Sequence, residues 1–155
     1  KLRKEFHHQF YILHSTFYIQ KRGVLVILRI DFDSEVPIYI QIKNQVIEGI
    51  AKGEIEKDEE LPSVRSLAED IGVNMHTVNK AYNILKEEGY IRIDRRKGAI
   101  VSLNLNISND KFKEELNENL YYYMAQCSNR NIDKDEIKKY IDKVFLDFNK
   151  GEGEK

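Results

Sequence analysis

Three helices closed by a β-hairpin, and two further helices behind them, are what this sequence predicts: a mainly α-helical chain in two parts. Three observations lead there. Two short apolar-periodic segments are separated only by Ile71-Gly72-Val73-Asn74, a gap too short for a loop, in which Gly72 permits a sharp turn. Two β-prone runs, Tyr90-Ile91-Arg92-Ile93 and Ala99-Ile100-Val101-Ser102, flank Asp94-Arg95-Arg96-Lys97-Gly98 and read as a hairpin. Beyond Asn104 the apolar residues return to helical spacing, on two stripes joined by a polar turn.

In chain order, residues 1–29 stand apart as an N-terminal extension, rich in aromatics and carrying His7, His8 and His14 close together. Phe6, Phe10, Leu13 and Phe17 have helical spacing and Val24 to Ile30 reads as a strand. Adjacent histidines point to different faces of a helix, so these three do not make a metal site. Lys21-Arg22-Gly23 is what a translated purine-rich ribosome-binding site would encode, so the expectation is that the extension is not native and that initiation lies near Leu28 on a non-AUG codon.

From Asp33 the signals sharpen. Pro37 suits a first helical turn, Tyr39, Ile42, Val46 and Ile50 share a face, and Gly53 can end the helix, giving a first helix over 37–52. An acidic link, Glu54 to Glu60, leads to Leu61-Pro62-Ser63, where Ser63 can cap a second helix over 63–71 that buries Leu67, Ala68 and Ile71. Asn74 caps a third helix with Val78, Ala81, Tyr82 and Leu85 inward, ending near Glu88 with Gly89 behind it. The next helix begins around Ile107-Ser108-Asn109-Asp110 and carries Phe112, Leu116, Leu120, Tyr123, Met124 and Cys127 on one stripe. The last follows Asp133 with Ile137, Tyr140, Ile141, Val144, Phe145 and Phe148. Two such stripes cannot both be hidden in so thin a layer, and the tail from Gly151 is expected to be disordered.

Composition narrows the function. A net charge of -1 denies the chain the overall basic signature of many nucleic-acid binders, so an anionic partner must meet a local patch. The single cysteine, Cys127, excludes an intramolecular disulfide framework and a cysteine-based zinc site, fits the reducing cytoplasm, and reads as a small core residue on a helix. The longest apolar run, Val24 to Leu28, is too short to span a bilayer, and His7, His8, Gln9 and His14 interrupt any secretory signal. No nucleophile-base-carboxylate set, phosphate loop or paired-carboxylate cleft appears, so no catalytic residue, enzyme activity, cofactor or metal is predicted.

Two helices joined by a short glycine-containing turn form a helix-turn-helix, which presents the N-terminal end of its second helix to the DNA major groove. A helix in front and a basic hairpin behind make it winged. Asn74, His76, Thr77, Asn79 and Lys80 offer polar contacts along that second helix, with Asn83 further along the same polar face. Ser63 and Arg65 sit where an anion is favoured at the start of the helix before it. Arg92, Arg95, Arg96 and Lys97 against Asp94 concentrate positive charge at the hairpin tip, with Gly98 behind. Taken singly each feature has a plainer explanation. Arg65 suits a surface ion pair with Glu69 or Asp70, the charged run suits a solvated turn, and His76 suits open solvent. Their order along the chain is what favours DNA.

At these residues the chain resembles the winged-helix domain of the GntR family of bacterial transcription regulators. The resemblance runs from Pro37-Ile38-Tyr39 through Leu61-Pro62-Ser63-Val64-Arg65-Ser66-Leu67-Ala68, Gly72-Val73-Asn74, Thr77-Val78, Ala81-Tyr82, Leu85, Glu88-Gly89-Tyr90-Ile91 and Lys97-Gly98 to Val101. It implies that Arg65, Asn74, His76, Thr77, Asn79 and Gly98 occupy DNA-facing positions. Met75 departs from the family, which often has arginine there, and the wing reads Arg95-Arg96-Lys97-Gly98 where two glycines usually flank the lysine.

The domains expected are therefore a winged helix-turn-helix over 30–104, a two-helix dimerisation region over 105–150 and a tail over 151–155. About 50 residues after the wing are too few for a large effector domain and look like the short YtrA-type subgroup. That resemblance implies a homodimeric repressor acting on its own operon and on neighbouring transporter genes. Its partners would be a palindromic double-stranded operator and a second copy of the chain, joined through Phe112, Leu116, Leu120, Tyr123, Met124, Ile137, Ile141, Val144, Phe145 and Phe148. No membrane partner is expected; Tyr121 to Tyr123 are read first as interface packing, with a small-molecule effector of unknown identity between the C-terminal helices as the other reading. The alternative function is a winged helix used as a protein-interaction module.

Overall fold

A computed structural model of the chain describes residues 15–21, 24–105 and 109–149. In order these form β1 (Ser15–Lys21), β2 (Val24–Ile30), α1 (Ile38–Ala51), α2 (Val64–Ile71), α3 (Met75–Glu87), β3 (Ile91–Asp94), β4 (Gly98–Val101), α4 (Asn109–Asn129) and α5 (Lys134–Asn149). The mainly helical class and the winged order are as the sequence predicts. Phe17, expected on a helix, lies instead in β1, which pairs antiparallel with β2. The rest of that expected helix, with His7, His8 and His14, lies outside the described residues, as does the tail from Gly151.

The core is built where the periodicity put it. Ile42 and Val46 of α1, Leu67, Ala68 and Ile71 of α2, and Val78, Ala81, Tyr82 and Leu85 of α3 are all buried together. Each large aliphatic side chain so buried stabilises the fold by about 1.5–3 kcal/mol before chain entropy is counted. Leu28 and Ile30 of β2 join the same cluster at 1% and 0% exposure, so the core takes in a residue of the segment set apart as an extension. α1 holds that strand through two amides one turn apart. Gln45 Oε1 accepts from Arg29 N–H at 2.7 Å while its Nε2 donates to Arg29 O at 2.7 Å. Gln41 does the same with Asp31, at 2.9 Å both ways, and also donates to Val36 O at 2.8 Å.

The acidic link between α1 and α2 is a packed element, not a solvated connection. Ile55 is 1% exposed and Leu61 4% exposed. Leu61 N–H donates to Ala99 O, Val101 N–H to Glu59 O, and Asp58 N–H to Val101 O, all at 2.9 Å, so the link runs along β4 as a third edge of the wing. The β3–β4 register pairs Ile91 with Val101 and Asp94 with Gly98. Behind α3, Gly89 takes φ +86°, and Asn104 N–H donates to its carbonyl at 2.8 Å.

The C-terminal helices contribute no residue to this core. Along α4, Phe112, Leu116, Leu120, Tyr123 and Met124 are exposed, and along α5 so are Ile141 and Phe145, while Ile137, Val144 and Phe148 are half-buried. Cys127 is half-buried on α4 and not a core residue, since no α4 side chain belongs to the buried cluster of the described residues.

Candidate nucleic-acid interface

The helix-turn-helix is fixed by its caps. Ser63 Oγ accepts from Ser66 N–H at 3.0 Å at the start of α2, Gly72 closes that helix in the left-handed conformation at φ 69°, and Asn74 Oδ1 accepts from His76 N–H at 2.8 Å to open α3. Each side-chain cap stabilises its helix by about 1 kcal/mol. Both helix starts therefore have defined directions, and first-turn N–H groups favour anions.

A strut that sequence reasoning missed joins the two helices. Tyr82, placed on the core stripe as an apolar residue, is 2% exposed and donates its hydroxyl to Pro62 O at 2.9 Å, so α3 is tied to the residue before the α2 cap. The signal was present: a tyrosine on a buried stripe needs a partner for its hydroxyl. Burial pushes its pKa well above the ordinary tyrosine value. A raised folded pKa means that stability is complete below the unfolded value of about 10 and is lost as pH climbs past it. Tyr82→Phe is expected to cost about 1 kcal/mol in urea unfolding at pH 8. The gap should narrow at pH 10.5, and a constant gap would count against the buried phenol as its source.

Arg65, Asn74, His76 and Asn79 are exposed, with Thr77 half-buried beside them. Arg65 Nε lies 2.8 Å from Glu69 Oε1, the ion pair weighed from sequence, with the two side chains 79% and 64% exposed. The hydrogen bond that the guanidinium donates to Glu69, and then the charge of that carboxylate, raise the pKa of Arg65. Such an open pair leaves the cation free to exchange partners. Lys80 departs from its expected place. Its Nζ sits 3.8 Å from the ring centroid of Tyr39, a cation–π contact that turns it toward α1.

At the wing tip Asp94 Oδ1 accepts from the N–H groups of Arg96 at 2.8 Å and Lys97 at 2.9 Å, which shapes the turn and holds the carboxyl below its ordinary pKa. Gly98 completes the turn at φ +83°. Arg92 pairs with Asp58 at 3.2 Å and Lys97 with Glu60 at 4.0 Å, both carboxylates coming from the link beside β4. Arg95 and Arg96 are exposed and pair with no carboxylate among the described residues. The tip thus keeps two uncommitted guanidiniums, suited to phosphate.

Residues 38–101 match the family described as "Bacterial regulatory proteins, gntR family". Over 125 residues the chain is 32% identical to the HTH-type transcriptional repressor YtrA of Bacillus subtilis (strain 168), spanning 80% of this chain and 96% of that protein. Among solved structures it is similar to a transcriptional antiterminator from Listeria monocytogenes EGD-e, with TM-score 0.70 and 30% identity over 77% of this chain and 90% of that one. It is also similar to YtrA from Sulfolobus acidocaldarius, a GntR-family transcription factor, with TM-score 0.50 and 42% identity over 61% and 97% of the two chains. No helix among the described residues is long and apolar enough to cross a membrane.

Proposed function

Because the chain belongs to the GntR family of bacterial transcription regulators, we propose that it is a homodimeric repressor that reads a palindromic operator upstream of its own gene. The likeness to the repressor YtrA across nearly that protein's whole length supports repression, and its own operon with neighbouring transporter genes is the target that the resemblance to the YtrA-type subgroup implies. The observation that carries the DNA reading is one arrangement: two capped helices held by the Tyr82 strut, with free Arg95 and Arg96 at the tip of the adjoining wing. Ser63, Arg65, Asn74, His76, Thr77, Asn79 and Gly98 line or shape this surface, with Lys97 exchanging Glu60 for phosphate. Lys80 takes part from the α1 side.

The second copy is held through α4 and α5. Their apolar stripes, exposed from Phe112 to Met124 on α4 and at Ile141 and Phe145 on α5, are too extensive for a surface that stays in water. Pairing them would set two recognition helices on one face of DNA, with half-site centres about 10 bp apart.

The test is fluorescence anisotropy with a labelled duplex from immediately upstream of the gene, beside a scrambled duplex, at two salt concentrations. Tight binding to the upstream duplex alone, surviving the higher salt, supports an autoregulating repressor. Replacing Arg95 and Arg96 together by alanine should weaken binding to both duplexes. The slope of log affinity against log salt should fall by about 0.9 for each phosphate that the variant no longer neutralises. An unchanged slope would remove the wing from the interface.

A further inference from the structure

Between residues 38 and 101 only two large apolar side chains stand exposed among the described residues, Met75 at 52% and Ile93 at 54%. A lone exposed apolar residue is ordinary on a protein surface. The location of this pair is not ordinary, since Met75 opens α3 and Ile93 lies on the wing strand β3, the two elements that a winged helix offers to DNA.

The surroundings of Met75 fix which way that end of α3 faces. With about 100° of turn per residue, Met75, Asn79 and Tyr82 fall on one flank of the helix. Tyr82 on that flank reaches Pro62 at the start of α2, while Lys80, further round the helix, lies over Tyr39 of α1. Met75 therefore stands on the side of α3 that turns toward Ser63 and Arg65, beside the exposed Asn74 and His76. Its thioether offers no donor and only a weak acceptor, so it cannot read the hydrogen-bonding pattern of a base edge. The apolar group that base edges present in the major groove is the 5-methyl of thymine, and a flexible unbranched side chain packs readily on it.

We propose that Met75 is a specificity-determining residue that selects thymine at one step of each half-site by covering its 5-methyl group. This rests on the reading of the chain as a sequence-specific DNA binder, and the test separates the two. The full-length chain is used to enrich duplexes from a library randomised over about two helical turns. Each thymine of the enriched duplex is then replaced in turn by deoxyuridine, which removes the methyl group alone.

At one symmetry-related step, loss of the methyl should weaken wild-type binding about fourfold, the effect of one buried methylene-sized group. Met75→Ala should bind the thymine and deoxyuridine forms of that duplex equally, with an unchanged circular dichroism spectrum because the side chain is not in the core. If wild type is indifferent to deoxyuridine at every step, or Met75→Ala keeps the preference, the role of Met75 is overturned while selective DNA binding stands. Failure to enrich any sequence would overturn both.

Discussion

A chain ending at Asn104 is expected to remain folded yet bind its operator about 10²–10⁴-fold more weakly than the full-length protein, the factor by which linking two sites exceeds one. Folding should survive because the buried cluster lies wholly between Leu28 and Val101, with Leu103 packed on its edge. Binding should suffer because α4 and α5 carry the apolar surface proposed to join two copies, and a single recognition helix engages one half-site only. Light scattering should give a monomer mass, and anisotropy on the upstream duplex the weakened affinity. A truncated chain that is still dimeric, or that binds within a few-fold of full length, would contradict the role proposed for the two helices.

The largest effect on stability is expected at Gly89. Its φ of +86° alone would cost alanine about 1–2 kcal/mol. A Cβ there would also lie 2.2 Å from Asn104 O, a backbone atom that cannot swing away as a side chain can. The segment after β4 would have to move, taking with it the bond from Asn104 N–H to Gly89 O at 2.8 Å and that from Ser102 N–H to Tyr90 O at 2.9 Å. Gly89→Ala should therefore cost about 4 kcal/mol, at the upper end for a point substitution. Gly72 supplies the comparison, with φ +69° and nothing within 4 Å of a Cβ. Gly72→Ala should cost only the conformational part, about 1–2 kcal/mol. Urea midpoints measure both, and equal losses would mean that the Asn104 backbone relaxes freely.

Most of the winged fold is legible in local signals. Ser63 and Asn74 act as caps because their short side chains reach the first N–H groups, and Leu67, Ile71, Val78 and Leu85 recur at the helical period. The link from Glu54 to Glu60 is harder to read, since its acidic residues suggest solvent. Ile55 and the pairing of Asp58 to Leu61 with β4 depend on contacts distant in sequence, which composition does not encode. The pairing of Arg65 with Glu69 is foreseeable as an i,i+4 ion pair. The stacking of Lys80 on Tyr39 is not, because it joins residues of different helices. Phe17 misleads because aromatic and aliphatic residues at helical spacing can also fall, in part, on a strand. Tyr82 belongs to the core by its period alone, but only the folded geometry brings Pro62 to its hydroxyl.

Gln41 and Gln45 have a consequence for how molecules of this chain can meet. The unpaired margin of a strand is a template on which another chain can add, the usual route to open-ended aggregation. At Arg29 and Asp31 both backbone groups are already taken by α1, each amide supplying the donor and acceptor that an incoming strand would bring. No foreign strand can pair with the backbone at these two residues. At this end of the strand, open-ended growth is closed off by side chains of the molecule itself.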